Sequence, residues 1–142
     1  MGGDAEQSDL ILVLGGIHAG RHNHARTLAA DSGLPLSEPK TDPIETILGL
    51  RRAGALLLIP DIGPWLAAAA DDAAANLLAA IDETHGPLIL VSREAGLGIV
   101  PLEAAARRGR DDLGRLNQAL ARRAGQVVFV AAGLPLILKA AR

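Results

Sequence analysis

A continuous apolar run that stops at a pair of glycines leaves few choices for the chain around it. Leu10-Ile11-Leu12-Val13-Leu14 shows no polar alternation. It therefore reads as a strand buried on both faces, the pattern of a parallel sheet. Gly15 and Gly16 end this strand, and Gly20 opens a segment that reads as helix to about Ser32, with Gly33 suited to its C-terminal cap. Strand, glycine loop and helix is the arrangement in which main-chain N–H groups and a helix N-terminus hold phosphate. The spacing Gly15-x4-Gly20 is that of the phosphate loop G-x-x-x-x-G-K-[ST], but Arg21 stands at the lysine position and His22 at the hydroxyl position. Arginine meets phosphate through a wide planar fork, not a compact ammonium. Imidazole offers no hydroxyl oxygen to Mg²⁺, a hard cation that prefers oxygen. These residues favour binding of a phosphate or nucleotide over efficient phosphoryl transfer. A plain strand-to-helix turn is the competing explanation.

The rest of the chain repeats the theme. Ala55–Ile59, Pro87–Val91 and Val127–Val130 are further buried strands, Leu34-Pro35-Leu36 suggests a short one, and Leu134–Lys139 follows a turn as an edge strand. Helical spacing covers Ile44–Ala53 before Gly54, and Leu66–Asp82 with a break expected near Asp71-Asp72. Leu102, Ala106, Gly109, Leu113, Leu116 and Leu120 mark one face of a later helix, for which Gly109 suggests a break. Strands alternating with helices predict an α/β domain with a mainly parallel sheet flanked by helices. Residues 1–8 are expected to be a flexible tail and 9–142 a single P-loop-like α/β domain.

Composition narrows the partners. Trp65 and Phe129 are the only aromatics, so there are no platforms on which single-stranded bases stack. A net charge of −2 leaves no electrostatic footprint for DNA. Without cysteine there are no disulfides and no thiolate metal sites. The acidic start MGGDAEQSD is unlike a signal peptide, and no apolar run nears the roughly 20 residues that span a bilayer. A cytoplasmic protein with neither nucleic-acid nor membrane partners is expected.

Two acidic residues stand at strand ends, where open α/β sheets bind ligands. Asp61 follows Pro60 and is either a group near a phosphate-bound metal or the N-cap of the next helix. Glu94 opens the glycine-containing stretch Glu94–Pro101. His18, His22 and His24 lie close in sequence, yet residues two apart on a helix diverge and no carboxylate shares the cluster, so no metal site is expected. The charged run Arg107–Arg115 is either a solvated helix face or an anion clamp or subunit contact. No G-x-S-x-G elbow is present for a serine hydrolase.

Four motifs occur in an order that belongs to one family. They are Gly15-Gly16-x3-Gly20 with His24-Ala25, Glu94-Ala95-Gly96-Leu97-Gly98-Ile99-Val100-Pro101, Arg107-x2-Arg110-Asp111-x2-Gly114-x2-Asn117-Gln118, and Gly133-Leu134-Pro135-x3-Lys139. The chain resembles the bifunctional adenosylcobinamide kinase / adenosylcobinamide-phosphate guanylyltransferase family of cobalamin (vitamin B12) biosynthesis. The resemblance implies a RecA-like P-loop NTPase fold, a homo-oligomer, GTP or ATP as nucleotide, and a corrinoid, adenosylcobinamide, as the second substrate. It further implies phosphorylation of that corrinoid followed by GMP transfer through a guanylylated histidine.

Departures from the family fall where its chemistry lies. Gly20-Arg21-His22 replaces G-K-S, Arg93-Glu94 replaces Asn-Glu, and Gly109 stands where an aromatic precedes Arg110-Asp111. The family's acidic residue after the central strand aligns with Pro60, one position before Asp61. The segment before that strand is short, and Leu34–Ala53 contains no histidine to be guanylylated. The resulting expectation is a nucleotide-binding relative with weakened or altered phosphoryl transfer and little use of Mg²⁺. Gly15, Gly16, Gly20, Arg21 and the backbone of His22 would hold phosphate, and Asp61 and Glu94 are the candidate catalytic acids. The alternatives are an inactive binding or assembly subunit paired with an active paralogue, and an active kinase that uses Arg21 for lysine.

Overall fold

The computed structural model describes residues 8–16, 18–94 and 104–140. Along the chain run β1 (Leu10–Gly15), α1 (Arg21–Asp31), β2 (Leu36–Ser37), α2 (Pro43–Leu50), β3 (Leu56–Ile59), α3 (Ile62–Ala68), α4 (Ala73–Glu83), β4 (Leu88–Val91), α5 (Ala104–Arg123), β5 (Gln126–Ala131) and β6 (Leu134–Lys139). Residues 1–7 of the tail expected over 1–8, the stretch 95–101 and Leu102 lie outside the described residues.

The six strands form one sheet in the order β2-β3-β4-β1-β5-β6. All neighbours are parallel except β5 and β6, so the mainly parallel sheet flanked by helices is as the apolar runs predict. β1 sits between β4 and β5, with Leu12 opposite both Leu90 and Val127. That central place explains its unbroken apolar sequence, because alternate side chains enter different layers. Leu10, Leu12 and Leu14 join Leu57, Leu88 and Leu90 in the layer that contains Ile47, Leu77, Leu116 and Leu120 from α2, α4 and α5. Val13 joins Leu58, Ile89 and Val128 in the opposite layer, where α1 contributes Ala25 and Ala29.

Three of the differences from the boundaries that the sequence suggests have a visible physical cause. α2 ends at Leu50, not Ala53, because Arg51 turns extended and its guanidinium donates to Gly86 O (2.8 Å) and Ile81 O (2.9 Å) at the end of α4. β2 begins at Leu36 rather than Leu34, since Leu34 packs beside α1 under the sheet and Pro35 O receives Leu56 N–H. α5 runs without a break through Gly109 and Gly114. A helical glycine costs about 1 kcal/mol against alanine, less than burial of Leu113, Leu116 and Leu120 returns. The break near Asp71-Asp72 is present, separating α3 from α4.

β5 turns into β6 through Ala132 (φ 53) and Gly133 (φ 74). Two successive positive φ values make this a two-residue hairpin loop whose twist matches the strands.

Gly109 has open space where a Cβ would stand. Gly109→Ala should therefore stabilise the fold by about 0.5–1 kcal/mol in urea unfolding. Leu120→Ala, in the packed layer, should destabilise it by about 2–5 kcal/mol. Destabilisation by Gly109→Ala would show that α5 is interrupted there.

Candidate functional site

Because β1, β3, β4 and β5 are parallel, their C-terminal ends open on one edge of the sheet. Gly15-Gly16, Asp61, Ser92–Glu94 and Ala132-Gly133 all emerge there. The loop after β1 is shaped by close approach. A Cβ on Gly15 would lie 2.6 Å from Val130 O in β5, and one on Gly20 would lie 3.1 Å from Gly133 Cα. Gly20 also holds φ 90, a conformation glycine adopts without steric cost. Ala19 N–H donates to Gly16 O (3.2 Å), and Ala19 O accepts from Gly133 N–H (2.7 Å), tying the loop to the β5–β6 turn. α1 starts with no side-chain cap and no acidic residue in its first turn. The positive end of its dipole is therefore not offset locally.

Asp61 is where the two readings of that residue meet. Its Oδ1 accepts from Gly63 N–H (3.1 Å), so it is the N-cap of α3. Its Oδ2 accepts from Arg21 Nη2 (2.8 Å) and from Arg93 Nη2 (2.9 Å). Thus Arg21, the residue at the lysine position, crosses to the end of β3. Burial pushes the Asp61 carboxyl upward, but the Arg93 and Gly63 hydrogen bonds and the two guanidinium charges outweigh it and hold the group below its ordinary value. Arg21 Nη1 and Arg93 Nε are buried without a hydrogen-bond partner among the described residues.

Arg93 is itself held in place from below. Asn117 on α5 donates its amide to Arg93 O (2.8 Å) and accepts from Ser92 Oγ (2.7 Å), and both Asn117 and Ser92 are buried. Ser92 N–H and Glu94 N–H continue the ladder onto Val13 O and Gly15 O, which sets Glu94 beside the loop. His22 points elsewhere: its Nε2 is 2.9 Å from Glu38 Oε1, and Arg26 donates to Glu38 Oε2 (3.0 Å). The Arg26 hydrogen bond, against burial and aided by His22, holds Glu38 below the usual carboxylate range. On the outer face of α5, Arg115 pairs with Asp112, two exposed residues in the charged run.

The edge therefore gathers Gly15, Gly16, Gly20, Arg21, Asp61 and the Glu94 backbone, while the His22 side chain lies on Glu38. The parts that residue spacing did not reveal are the pairing of Arg93 with Asp61, the Ser92–Asn117 support and the role of Glu38. Each joins residues 12 to 32 positions apart, which no local pattern encodes. Mg²⁺, which the resemblance brings with a nucleoside triphosphate, prefers oxygen ligands. Imidazole replaces the hydroxyl, and both Asp61 oxygens already accept strong donors.

A carboxylate held below its unfolded value of about 3.9 supplies its stability in full above that pH and loses it as pH falls through the folded value. As pH falls below about 4, wild type should accordingly lose more stability than Asp61→Asn, as read from urea midpoints. Identical acid profiles would mean that the arginines do not hold Asp61.

Residues 44–138 match the family described as cobinamide kinase / cobinamide phosphate guanyltransferase. That span contains Asp61, Arg93 and Asn117 but begins after the glycine loop. The chain is 34% identical over 166 residues to the bifunctional adenosylcobalamin biosynthesis protein CobP of Pseudomonas aeruginosa, covering 90% of this chain and 96% of that protein. The alignment is longer than this chain of 142 residues, so the relative carries residues with no counterpart here. The bifunctional adenosylcobalamin biosynthesis protein CobU of Salmonella typhimurium is 41% identical over 71 residues, 50% of this chain and 39% of that protein. The Escherichia coli protein of the same name is 41% identical over 64 residues, 45% of this chain and 35% of its own. With a P-loop type of α/β sheet and these matches, the chain belongs to the cobinamide kinase / cobinamide phosphate guanyltransferase family.

Proposed function

We propose that this protein binds a nucleotide, GTP or ATP, at the Gly15–His22 loop and acts in building the nucleotide loop of cobalamin, with weakened or altered phosphoryl transfer. The observation that carries this reading is the split between backbone and side chain at the loop. The glycine geometry and the uncapped start of α1 are those of an anion cradle. The side chains that would drive transfer are otherwise engaged, Arg21 on Asp61 and His22 near Glu38. Main-chain donors bind phosphate without lysine, whereas transfer also needs neutralisation of developing charge. Asp61 and Glu94 are the acids nearest the phosphates in this proposal, Glu94 through its place beside Gly15. Adenosylcobinamide or its phosphate is the matching corrinoid, and the cytoplasm the matching compartment.

Leu34–Ala53 lacks a histidine, so guanylyl transfer through that segment is not part of the proposal. Incubation with labelled GTP should leave no acid-labile phosphoramidate, and a GMP adduct on any histidine would show a relocated nucleophile. Arg21→Ala should weaken nucleotide binding by about 10- to 100-fold in calorimetric titration, the worth of one charge-assisted hydrogen bond. Rapid phosphorylation of adenosylcobinamide by the unaltered protein would instead mean that arginine replaces lysine without loss.

A second reading, an assembly subunit joined to its own copies or to an active paralogue, is favoured by β6. Leu134, Leu136, Ile137 and Leu138 are each more than half exposed on this edge strand. Lys139, its one charge, is turned onto Ala121 O and Arg122 O at the end of α5. A bare apolar edge without a charged guard pairs readily with another chain. Light scattering should give a mass above that of one chain, lowered to one chain by Ile137→Lys. A monomeric wild type would remove the pairing of like copies.

A further inference from the structure

Two cations and one anion meet at the end of β3. Arg21 and Arg93 donate to the same oxygen of Asp61, at 2.8 and 2.9 Å. One guanidinium balances a carboxylate, so these three groups leave one positive charge over. They also leave two donors over. Arg21 Nη1 and Arg93 Nε, each two bonds from the nitrogen that holds Asp61, are buried with no partner among the described residues. Arg21 is only 11% exposed, so water does not readily serve it. A buried charged donor without an acceptor is costly, and an oxyanion supplies the missing acceptors.

We propose that Arg21 and Arg93 form a phosphoanion site that works without a metal, the bound phosphate sharing their guanidiniums with Asp61. The identity of the ligand as a nucleotide rests on the function proposed above; the metal-free binding of a phosphate chain does not. Mg²⁺ opposes such binding twice, by neutralising the phosphate chain and by being repelled from the two cations. Asp61 thereby takes a role opposite to that of a metal-holding acid. A carboxylate that positions Mg²⁺ strengthens binding of the phosphate chain, whereas one that competes for the same guanidiniums weakens it. Asn117 and Ser92 contribute by fixing the Arg93 backbone, from which its guanidinium reaches Asp61.

The sign of the Asp61→Asn effect is the test. Asparagine keeps an oxygen for Gly63 N–H, so the α3 cap is retained. Inorganic tripolyphosphate and GTP are titrated calorimetrically into wild type, Asp61→Asn and Arg93→Gln, once in EDTA and once in Mg²⁺. Tripolyphosphate should bind wild type in EDTA at least as tightly as in Mg²⁺. Asp61→Asn should tighten metal-free binding several-fold, and Arg93→Gln should weaken it by about tenfold, one charge-assisted contact. Circular dichroism confirms that each variant is folded. Binding that requires Mg²⁺, or weaker binding by folded Asp61→Asn, overturns the proposal. Metal-free binding of tripolyphosphate without binding of GTP upholds this site and rejects the nucleotide reading. Binding of neither ligand by folded wild type overturns both.

Discussion

The contact between Gly15 and the carbonyl of Val130 sets the geometry on which the rest of the edge depends. β1 lies between two parallel neighbours, and its last residue faces β5 so closely that a Cβ would come within 2.6 Å of that oxygen. With no side chain in the way, the ladder continues to the very start of the loop. β4 then runs on past its own end, through Ser92 and Glu94, along the other side of β1. The loop is thus clamped from both flanks, and Ala19 and Gly20 are pressed onto the β5–β6 turn. A cradle held by backbone contacts of this kind tolerates replacement of the residues that follow it, because its shape does not come from their side chains.

That independence allows the loop to keep its form while its electrostatics change. At the position of a phosphate-binding lysine, Arg21 has the reach to cross to β3, and a carboxylate lies there to receive it. Asp61 caps α3 with one oxygen and neutralises guanidiniums with the other, so helix start and charge cluster share a single residue. The depressed carboxyl follows from this geometry: strong donors to the charged form outweigh the effect of burial. Below the cluster, the Ser92–Asn117 pair satisfies polar groups that would otherwise be orphaned beneath the sheet edge, and it links β4 to α5.

The two faces of the sheet are dressed differently. Among the described residues α1 alone contributes helix residues to the Val13 layer, with the small side chains Ala25 and Ala29 buried there, which lets it lie close to the strands and brings its N-terminus to the loop. The other face carries larger side chains from α2, α4 and α5. Neither layer reaches β6, whose leucines and isoleucine stay exposed on both faces.

Much of the fold was legible before any coordinates. Four uncharged apolar runs of strand length specify buried strands because a parallel sheet buries both faces. The glycine spacing placed a tight turn between β1 and α1, and Asp61 ahead of an apolar segment signalled a cap, since both features are local in sequence. Tertiary structure alone decided the rest. That Arg21 meets Asp61, 40 residues away, depends on which strands become neighbours, and so does the choice of Arg93 as second partner. The end of α2 was decided by carbonyls at the end of α4 that only folding brings near Arg51. The continuity of α5 was decided by packing of its leucines, which outweighs the weak local preference of Gly109 for a break. Local propensities amount to about 1 kcal/mol per residue, whereas burial of one large side chain contributes about 1.5–3 kcal/mol, so where the two conflict the long-range contact prevails.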